Sequence, residues 1–269
     1  MYDFTYQKPG SVADAVAALA ADDEARALAG GMTFIPVLKQ RLAKPTAVVD
    51  LGKLGLTGIT VSGITVSGGS VTIGAMTTHA AVAASAEVKK AIPALADLAS
   101  WIGDTQVRNR GTIGGSLANN DPSACYTAAV LAMGATIKTD RREIKADDYF
   151  QGMFTTALQP GELITSVTIP VPEKAAYEKF RNPASRYAMV GVFVAKTAAG
   201  ARVAITGAAQ GGVYRHAEME KALSANFSAD AVGAVKTPAD GLNSDIHASA
   251  PYRAHLIGVM TRRAVAKAR

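Results

Sequence analysis

The sequence predicts an α+β protein of two or three structural units, on the basis of three observations. Near the N-terminus, a short apolar strand at residues 25–29 runs into Gly30-Gly31 and then into a helical pattern. Further on, residues 58–73 alternate valine, isoleucine and threonine with glycine and serine, which favours antiparallel strands with tight turns. Finally, Pro170-Val171-Pro172 ends a strand, and a second mixture of strands and helices follows.

Local patterns predict the N-terminal elements. Residues 4–7 alternate as a strand does. Ser11 can cap the helix that follows, because an acidic side chain lies three residues further on. After the glycine pair, a helix is predicted over residues 33–42, and residues 48–49 form the next strand.

The middle of the chain is predicted to contain helices and strands around one irregular stretch. Residues 108–121 carry three glycines and several short polar side chains and lack a hydrophobic period, so we predict a loop there. Thr77-Thr78 can cap a helix that begins at His79. The other predicted elements are helices at 92–101 and 126–133 and strands at 135–139 and 163–169.

The C-terminal part is predicted to be a separate α+β unit. Its strands are expected at 176–181, 191–197 and 201–208, and its helices at 217–223 and 252–268. These elements divide the chain into an N-terminal lobe at 1–55, a second lobe at 56–173 and a C-terminal domain at 174–269.

Composition excludes several classes of protein. Apolar residues make up 49% and charged residues 19% of the 269 positions, as in an ordinary folded protein rather than a disordered one. The formal net charge of +6 suits an anionic ligand or an acidic partner. The basic residues are dispersed and aromatic residues are only 6%, so we do not expect nucleic-acid binding.

The cysteine and histidine content argues against a metal centre in this chain. Cys125 is the single cysteine, which excludes an internal disulfide and cannot alone hold an iron–sulfur cluster. The four histidines form no close ligand pair, and each is expected to be a surface or capping residue. No apolar run is long enough to span a bilayer and the N-terminus lacks a signal-like pattern, so we expect a cytoplasmic protein.

Two glycine-rich segments are candidate phosphate-binding sites. In the first, residues 29–33, a helix is expected to begin, and its free N–H groups and dipole favour an anion. In the second, residues 108–121, glycines allow close backbone approach and successive N–H groups can converge on an anion. Two such segments suggest one diphosphate held from both sides.

A different interpretation of the glycines stays open at this point. A Gly-Gly pair alone more often marks a turn or a tight helix–strand junction than a cofactor site. Neither segment matches the phosphate-loop pattern of kinases or the Gly-x-Gly-x-x-Gly fingerprint of dinucleotide-binding folds.

Longer stretches of the sequence resemble a known family. Ala29-Gly30-Gly31-Met32-Thr33 and Thr112-Ile113-Gly114-Gly115-Ser116, followed by Ala118-Asn119-Asn120-Asp121-Pro122, are similar to the two FAD-binding signatures of the medium, flavoprotein subunit of molybdenum hydroxylases. Within that family, the chain resembles the medium subunit of aerobic carbon monoxide dehydrogenase and its paralogues. The resemblance covers nearly the whole chain, including Gly161-Glu162-Leu163-Ile164 and residues 245–255.

This resemblance implies a two-lobed FAD-binding domain of the vanillyl-alcohol-oxidase type, followed by a C-terminal three-stranded antiparallel sheet plus helices. It implies that the two signatures hold the pyrophosphate and the near side of the isoalloxazine, and that three further residues lie near the flavin ring. The residues so implied as cofactor-binding are Ala29, Gly30, Gly31, Met32, Thr33, Thr112, Ile113, Gly114, Gly115, Ser116, Asn119, Asp121, Cys125, Ile164, Lys179 and Tyr187.

One position departs from the family's pattern. Relatives often have an aspartate that contacts the cofactor where this chain has Cys125. A thiol does not accept hydrogen bonds as a carboxylate does, so FAD affinity or the flavin potential is expected to differ, unless Asp121 compensates. Alternatively, Cys125 is a small buried apolar residue.

The function implied is that of the FAD-binding electron-transfer subunit of a heterotrimeric molybdenum hydroxylase. A small subunit with [2Fe-2S] clusters and a large molybdopterin subunit are the implied partners, in a dimer of heterotrimers. The redox chemistry would belong to cofactors, so no catalytic acid or base is expected in this chain. Two alternatives stay open, namely a self-sufficient FAD oxidoreductase of the same fold and a non-redox nucleotide-binding assembly module.

Overall fold

The computed structural model describes residues 1–62 and 69–269 and begins with a small parallel sheet. Its strands are β1 (Thr5–Gln7), β2 (Arg26–Leu28) and β3 (Ala47–Asp50), with β3 in the centre. Helix α1 (Val12–Ala20) is capped by Ser11, whose Oγ accepts the Asp14 N–H at 3.1 Å. Helix α2 (Phe34–Lys39) ends earlier than the predicted residue 42, because Arg41 leaves the helical region with a φ of 58°.

A five-stranded antiparallel sheet forms the second layer. Its order is β4 (Ile59–Ser62), β5 (Ser70–Gly74), then β10 (Ile164–Pro170), β6 (Thr136–Thr139) and β7 (Glu143–Lys145). The predicted antiparallel strands within 58–73 are confirmed, apart from positions 63–68, which lie outside the described residues. Helices α3 (His79–Ala84), α4 (Ala86–Ala91), α5 (Pro93–Ser100) and α8 (Cys125–Ala132) pack with this sheet in one core.

The prediction of a loop over residues 108–121 is wrong. The structure has helix α6 (Thr105–Arg110) and helix α7 (Ile113–Asn119), joined at Gly111 and Thr112. Glycine in a helix costs about 0.5–1 kcal/mol relative to alanine. Here a neighbouring chain segment packs where the side chain would be, since a Cβ on Gly114 would lie 2.6 Å from the Ala75 Cβ.

Several short elements were not predicted. Ser85 both ends α3 and caps α4, which the continuous alanine-rich pattern did not indicate. Others are helix α9 (Ala146–Tyr149) and the hairpin of β8 (Phe150–Gly152) and β9 (Thr155–Thr156), which are too short to show a period.

The C-terminal part is an antiparallel sheet with helices, as predicted. Its three long strands are β11 (Lys174–Arg181), β12 (Ala188–Thr197) and β13 (Gly200–Thr206), and the two-residue strand β14 (Tyr214–Arg215) adds a short edge. Helices α10 (Ala217–Ala225) and α11 (Ala250–Lys267) cover one face, against Val192 and Val194. The other face, with Phe193 and Ala195, joins the core of the five-stranded sheet.

Helix α8 lies between these two sheets. All eight of its residues are buried, which is expected of a helix that is apolar on every side. The C-terminal sheet is therefore continuous in packing with the preceding core, and the domain boundaries at 55 and 173 stay a prediction. Within residues 1–62 and 69–269, no helix combines the length and apolarity that crossing a bilayer requires.

Arg253 of α11 connects the C-terminal helix to the sheet through hydrogen bonds. Its guanidinium is buried and donates to the carbonyl oxygens of Met189 and Gly207 and to Asp245 at 2.7 Å. We expect Arg253→Ala to lower the free energy of unfolding by about 1–3 kcal/mol, because two buried carbonyls lose their donor.

Chemical denaturation measures this effect. Arg262→Ala is the matched control, because Arg262 is exposed on the same helix, and it should change stability by less than about 0.5 kcal/mol. Equal effects of the two substitutions would contradict this role for Arg253.

Candidate functional site

A cavity of about 840 Å³ is lined by both glycine segments. This volume lies in the upper part of the range for small-molecule sites. Fifteen of the sixteen residues predicted to bind the cofactor line this cavity. The exception is Ile113, whose side chain is fully buried in the core beneath α7.

The two glycine segments meet through their backbones. A Cβ built on Gly30 would lie 2.0 Å from the Arg110 carbonyl oxygen and 2.9 Å from the Gly111 Cα. Residue 30 must therefore be glycine for the end of β2 to reach the junction of α6 and α7. Gly31 follows in the left-handed region, with a φ of 77°, which also favours glycine.

The first segment presents unpaired backbone donors to the cavity. The N–H groups of Gly31, Met32, Thr33 and Phe34 find no acceptor in the described part of the chain, and all four residues line the cavity. Thr33 precedes α2 without capping it through its side chain. Free N–H groups at the start of a helix attract an anion, so this segment has the chemistry of a phosphate cradle.

The second segment differs from the first, and the expected cluster of free N–H groups is not found there. Ile113 and Gly114 donate to the carbonyl oxygens of Thr77 and Ala75 at 3.1 and 2.9 Å. Gly115 donates to Thr112 Oγ1 at 3.1 Å, and Ser116 to the Thr112 carbonyl at 3.0 Å. What this segment offers the cavity is the bare surface of its glycines and polar side chains.

Asn119 and Asp121 flank a fixed turn. Between them, Asn120 is in the left-handed region and donates from Nδ2 to the carbonyls of Gly152 and Thr155, both at 2.8 Å. Asp121 accepts the Ser123 N–H at 2.8 Å, and burial raises the pKa of its carboxyl. The turn thus holds both cavity-lining side chains at the end of α7.

Lys179 lies at the C-terminal side of the cavity and is buried rather than solvated. Its ammonium donates to the carbonyl oxygens of Trp101 at 2.8 Å and Arg186 at 3.0 Å, and it lies 3.5 Å from Cys125 Sγ. These contacts compensate the cost of burying a charge. Tyr187 follows on the adjoining turn and is half-exposed. Cys125 is both buried and cavity-lining, so its two interpretations are compatible.

Glu162 is a cavity-lining residue that the sequence did not single out as a site. Its carboxylate pairs with Arg142 at 3.0 Å and accepts from the Gln159 N–H at 2.7 Å and the Thr139 hydroxyl at 2.8 Å. Burial opposes ionisation, but these donors outweigh it and lower the pKa of Glu162 to about 2. His79 was also missed, because nothing in the local pattern places it beneath the second segment.

A family model that covers more than half of the chain shows the family to which it belongs. A model described as the FAD binding domain in molybdopterin dehydrogenase matches residues 2–172. The chain belongs to this family. FAD is therefore its cofactor, and the free donors and the volume of the cavity fit that cofactor.

Relatives in this family match over nearly their full length. The nicotine 6-hydroxylase medium subunit of Paenarthrobacter nicotinovorans is 35% identical over 98% of this chain and 96% of its own. The carbon monoxide dehydrogenase medium chain of Afipia carboxidovorans is 36% identical over 99% and 96%. As in these relatives, the chain is the flavoprotein component of an oxidoreductase.

Solved structures in the family share the fold. The Cu,Mo carbon monoxide dehydrogenase in its cyanide-inactivated form matches 99% of this chain and 98% of its own, with a TM-score of 0.86 and 36% identity. Quinoline 2-oxidoreductase from Pseudomonas putida 86 matches 98% and 96%, with a TM-score of 0.87 and 29% identity. The predicted fold class is confirmed. In the described residues, no group of three or more His, Cys, Asp or Glu side chains could hold a metal ion.

Contact between the segments gives one prediction. We expect Gly30→Ala to destabilise the protein by roughly 1–3 kcal/mol, because a Cβ has no room against Arg110. FAD affinity should fall by about tenfold or more as the segments separate and at least one hydrogen bond is lost. Thermal unfolding and flavin titration measure the two effects.

Gly10→Ala is the matched control, since nothing lies within 4 Å of its Cβ and it should leave both quantities unchanged. A Gly30→Ala protein with wild-type stability and FAD affinity would rule out the steric argument.

Glu162 gives a prediction about acid stability. Because its pKa is about 2 in the folded protein and 4.5 is the ordinary value, its stabilising effect is full above pH 4.5 and is lost as pH falls towards 2. The Glu162→Gln variant should be less stable than the wild type at pH 7, and it should lose less stability than the wild type as pH falls from 4.5 towards 2. Denaturation curves from pH 6 to pH 2 test this, and parallel pH dependence in both proteins would contradict it.

Proposed function

We propose that this chain is the electron-transfer subunit of a molybdenum hydroxylase, which passes electrons from [2Fe-2S] clusters of a partner through FAD to an external acceptor. The observation that carries the proposal is the cavity shared by the two glycine segments, one with free N–H donors and one with a bare glycine surface. The full-length match to medium subunits of hydroxylases and dehydrogenases supports it.

Different residues of this chain would bind different parts of FAD. Residues 29–33 would bind the pyrophosphate through their N–H groups, and Thr112, Gly114, Gly115, Ser116 and Asn119 would form the opposite wall. Ile164, Lys179 and Tyr187 would lie along the flavin ring at the other end.

The electrostatics of that end suit a redox cofactor. When bound, FAD supplies the electron-transfer chemistry, and the protein supplies orientation and charge. The buried ammonium of Lys179 places a fixed positive charge at the cavity, where it would favour a negatively charged reduced form.

The partners are part of the same proposal. They are a small [2Fe-2S] subunit and a large molybdopterin subunit, assembled as a dimer of heterotrimers, and those subunits would carry the iron–sulfur and molybdenum centres. Relatives named as medium chains, or as a subunit of a dehydrogenase complex, support a multi-subunit assembly. We also propose a cytoplasmic location, in keeping with the free buried cysteine.

A purified complex tests the function. We expect co-purification with both partners, flavin absorbance in the complex, and bleaching of that absorbance when carbon monoxide, an aldehyde or nicotine is supplied as the electron donor. The Gly30→Ala complex is the control: donor should still reduce its iron–sulfur clusters, seen by electron paramagnetic resonance, while transfer to a dye acceptor falls in proportion to its FAD content.

Two results would overturn the proposal. Steady turnover by the isolated chain would favour a self-sufficient oxidoreductase. A complex in which the donor reduces the iron–sulfur clusters but bound FAD stays oxidised would favour a non-redox module.

A further inference from the structure

His79 lies directly beneath the junction of the two glycine segments. It is the first residue of α3, is buried, and lines the cavity. Its backbone N–H donates to the Gly111 carbonyl at 2.9 Å. A Cβ on Gly111 would lie 2.5 Å from the imidazole Nε2, so the ring packs against the backbone that touches Gly30.

Two buried polar atoms beside this ring lack partners. Neither His79 Nδ1 nor the Tyr126 hydroxyl has a hydrogen-bond partner among residues 1–62 and 69–269. The two rings lie side by side, with centroids 5.3 Å apart at an angle of 52°. An unsatisfied buried group costs about 1–3 kcal/mol, so the one on His79, a residue that lines the cavity, requires an explanation.

The imidazole is neutral at physiological pH. Burial and the nearby Arg108 guanidinium lower the pKa of His79 to about 4. A neutral imidazole has one donor nitrogen and one acceptor nitrogen. Nδ1 is enclosed and has no acceptor, so a proton there would be buried and unpaired, whereas a proton on Nε2 lies on the side of Gly111, which lines the cavity.

We propose that His79 is a cofactor-binding residue whose Nε2–H donates a hydrogen bond to an oxygen of bound FAD. The proposal rests on the cavity holding FAD, and it adds a donor that the second glycine segment itself lacks, since the N–H groups of Ile113, Gly114, Gly115 and Ser116 are bonded within the protein.

Substitution at His79 separates binding from folding. In the FAD-depleted complex, His79→Phe should weaken FAD binding by about tenfold, the loss of one hydrogen bond. Its thermal stability without FAD should stay the same or rise, because an unsatisfied buried atom is removed. His79→Gln, whose amide can still donate, should retain part of the affinity. His255→Phe is the matched control on an exposed histidine of α11.

The tautomer of His79 has its own readout. In ¹⁵N-histidine-labelled full-length chain, which has only four histidines, NMR should show the Nε2–H tautomer of His79, and an Nδ1–H tautomer would contradict the inference.

The outcomes are distinguishable. A wild-type complex that takes up no FAD would end both this inference and the proposed function. Wild-type FAD uptake with unchanged affinity in His79→Phe would overturn the inference alone. The inference would also be overturned if His79→Phe and His79→Gln lost FAD affinity to the same extent and both lost stability in the absence of FAD. That pattern indicates a purely structural histidine.

Discussion

The site depends on a close backbone contact between two segments about eighty residues apart. Gly30 lies against the Arg110 carbonyl and the Gly111 Cα with no space for a side chain. This contact brings the end of a parallel strand to the junction of two short helices, and the cavity opens beside it. Because this close-packed backbone leaves no room for a methyl group, the facing positions of the two glycine segments follow from this approach.

The two glycine segments serve different physical purposes. The first keeps its N–H groups free and has the properties of an anion site. The second uses its N–H groups within the protein, to cap α7 and to join it to Thr77 and Ala75. Its glycines therefore allow close backbone approach, and they do not supply free hydrogen-bond donors. Polar contacts from this side must come from side chains, including Ser116 and Asn119.

The cavity is completed by residues beyond the family-model match, which ends at residue 172. Lys179 and Tyr187 belong to the C-terminal sheet and the turn that joins two of its strands. That sheet shares one face with the core of the preceding part, through the fully buried helix α8. Lys179 also bonds the carbonyls of Trp101 and Arg186, so the wall of the cavity and the packing between sheets depend on each other.

The sequence by itself determined the α+β class, most strands, the two glycine segments and the family, because these follow from local alternation and from motifs. Tertiary structure alone decided that residues 105–119 form two helices, that Ile113 points into the core, that Lys179 is buried, and that His79 lines the cavity. The physical reason is common to these four. Whether glycine is tolerated in a helix, and whether a lysine or histidine is buried, depends on which distant segment packs against it, and periodicity reports only the neighbours along the chain.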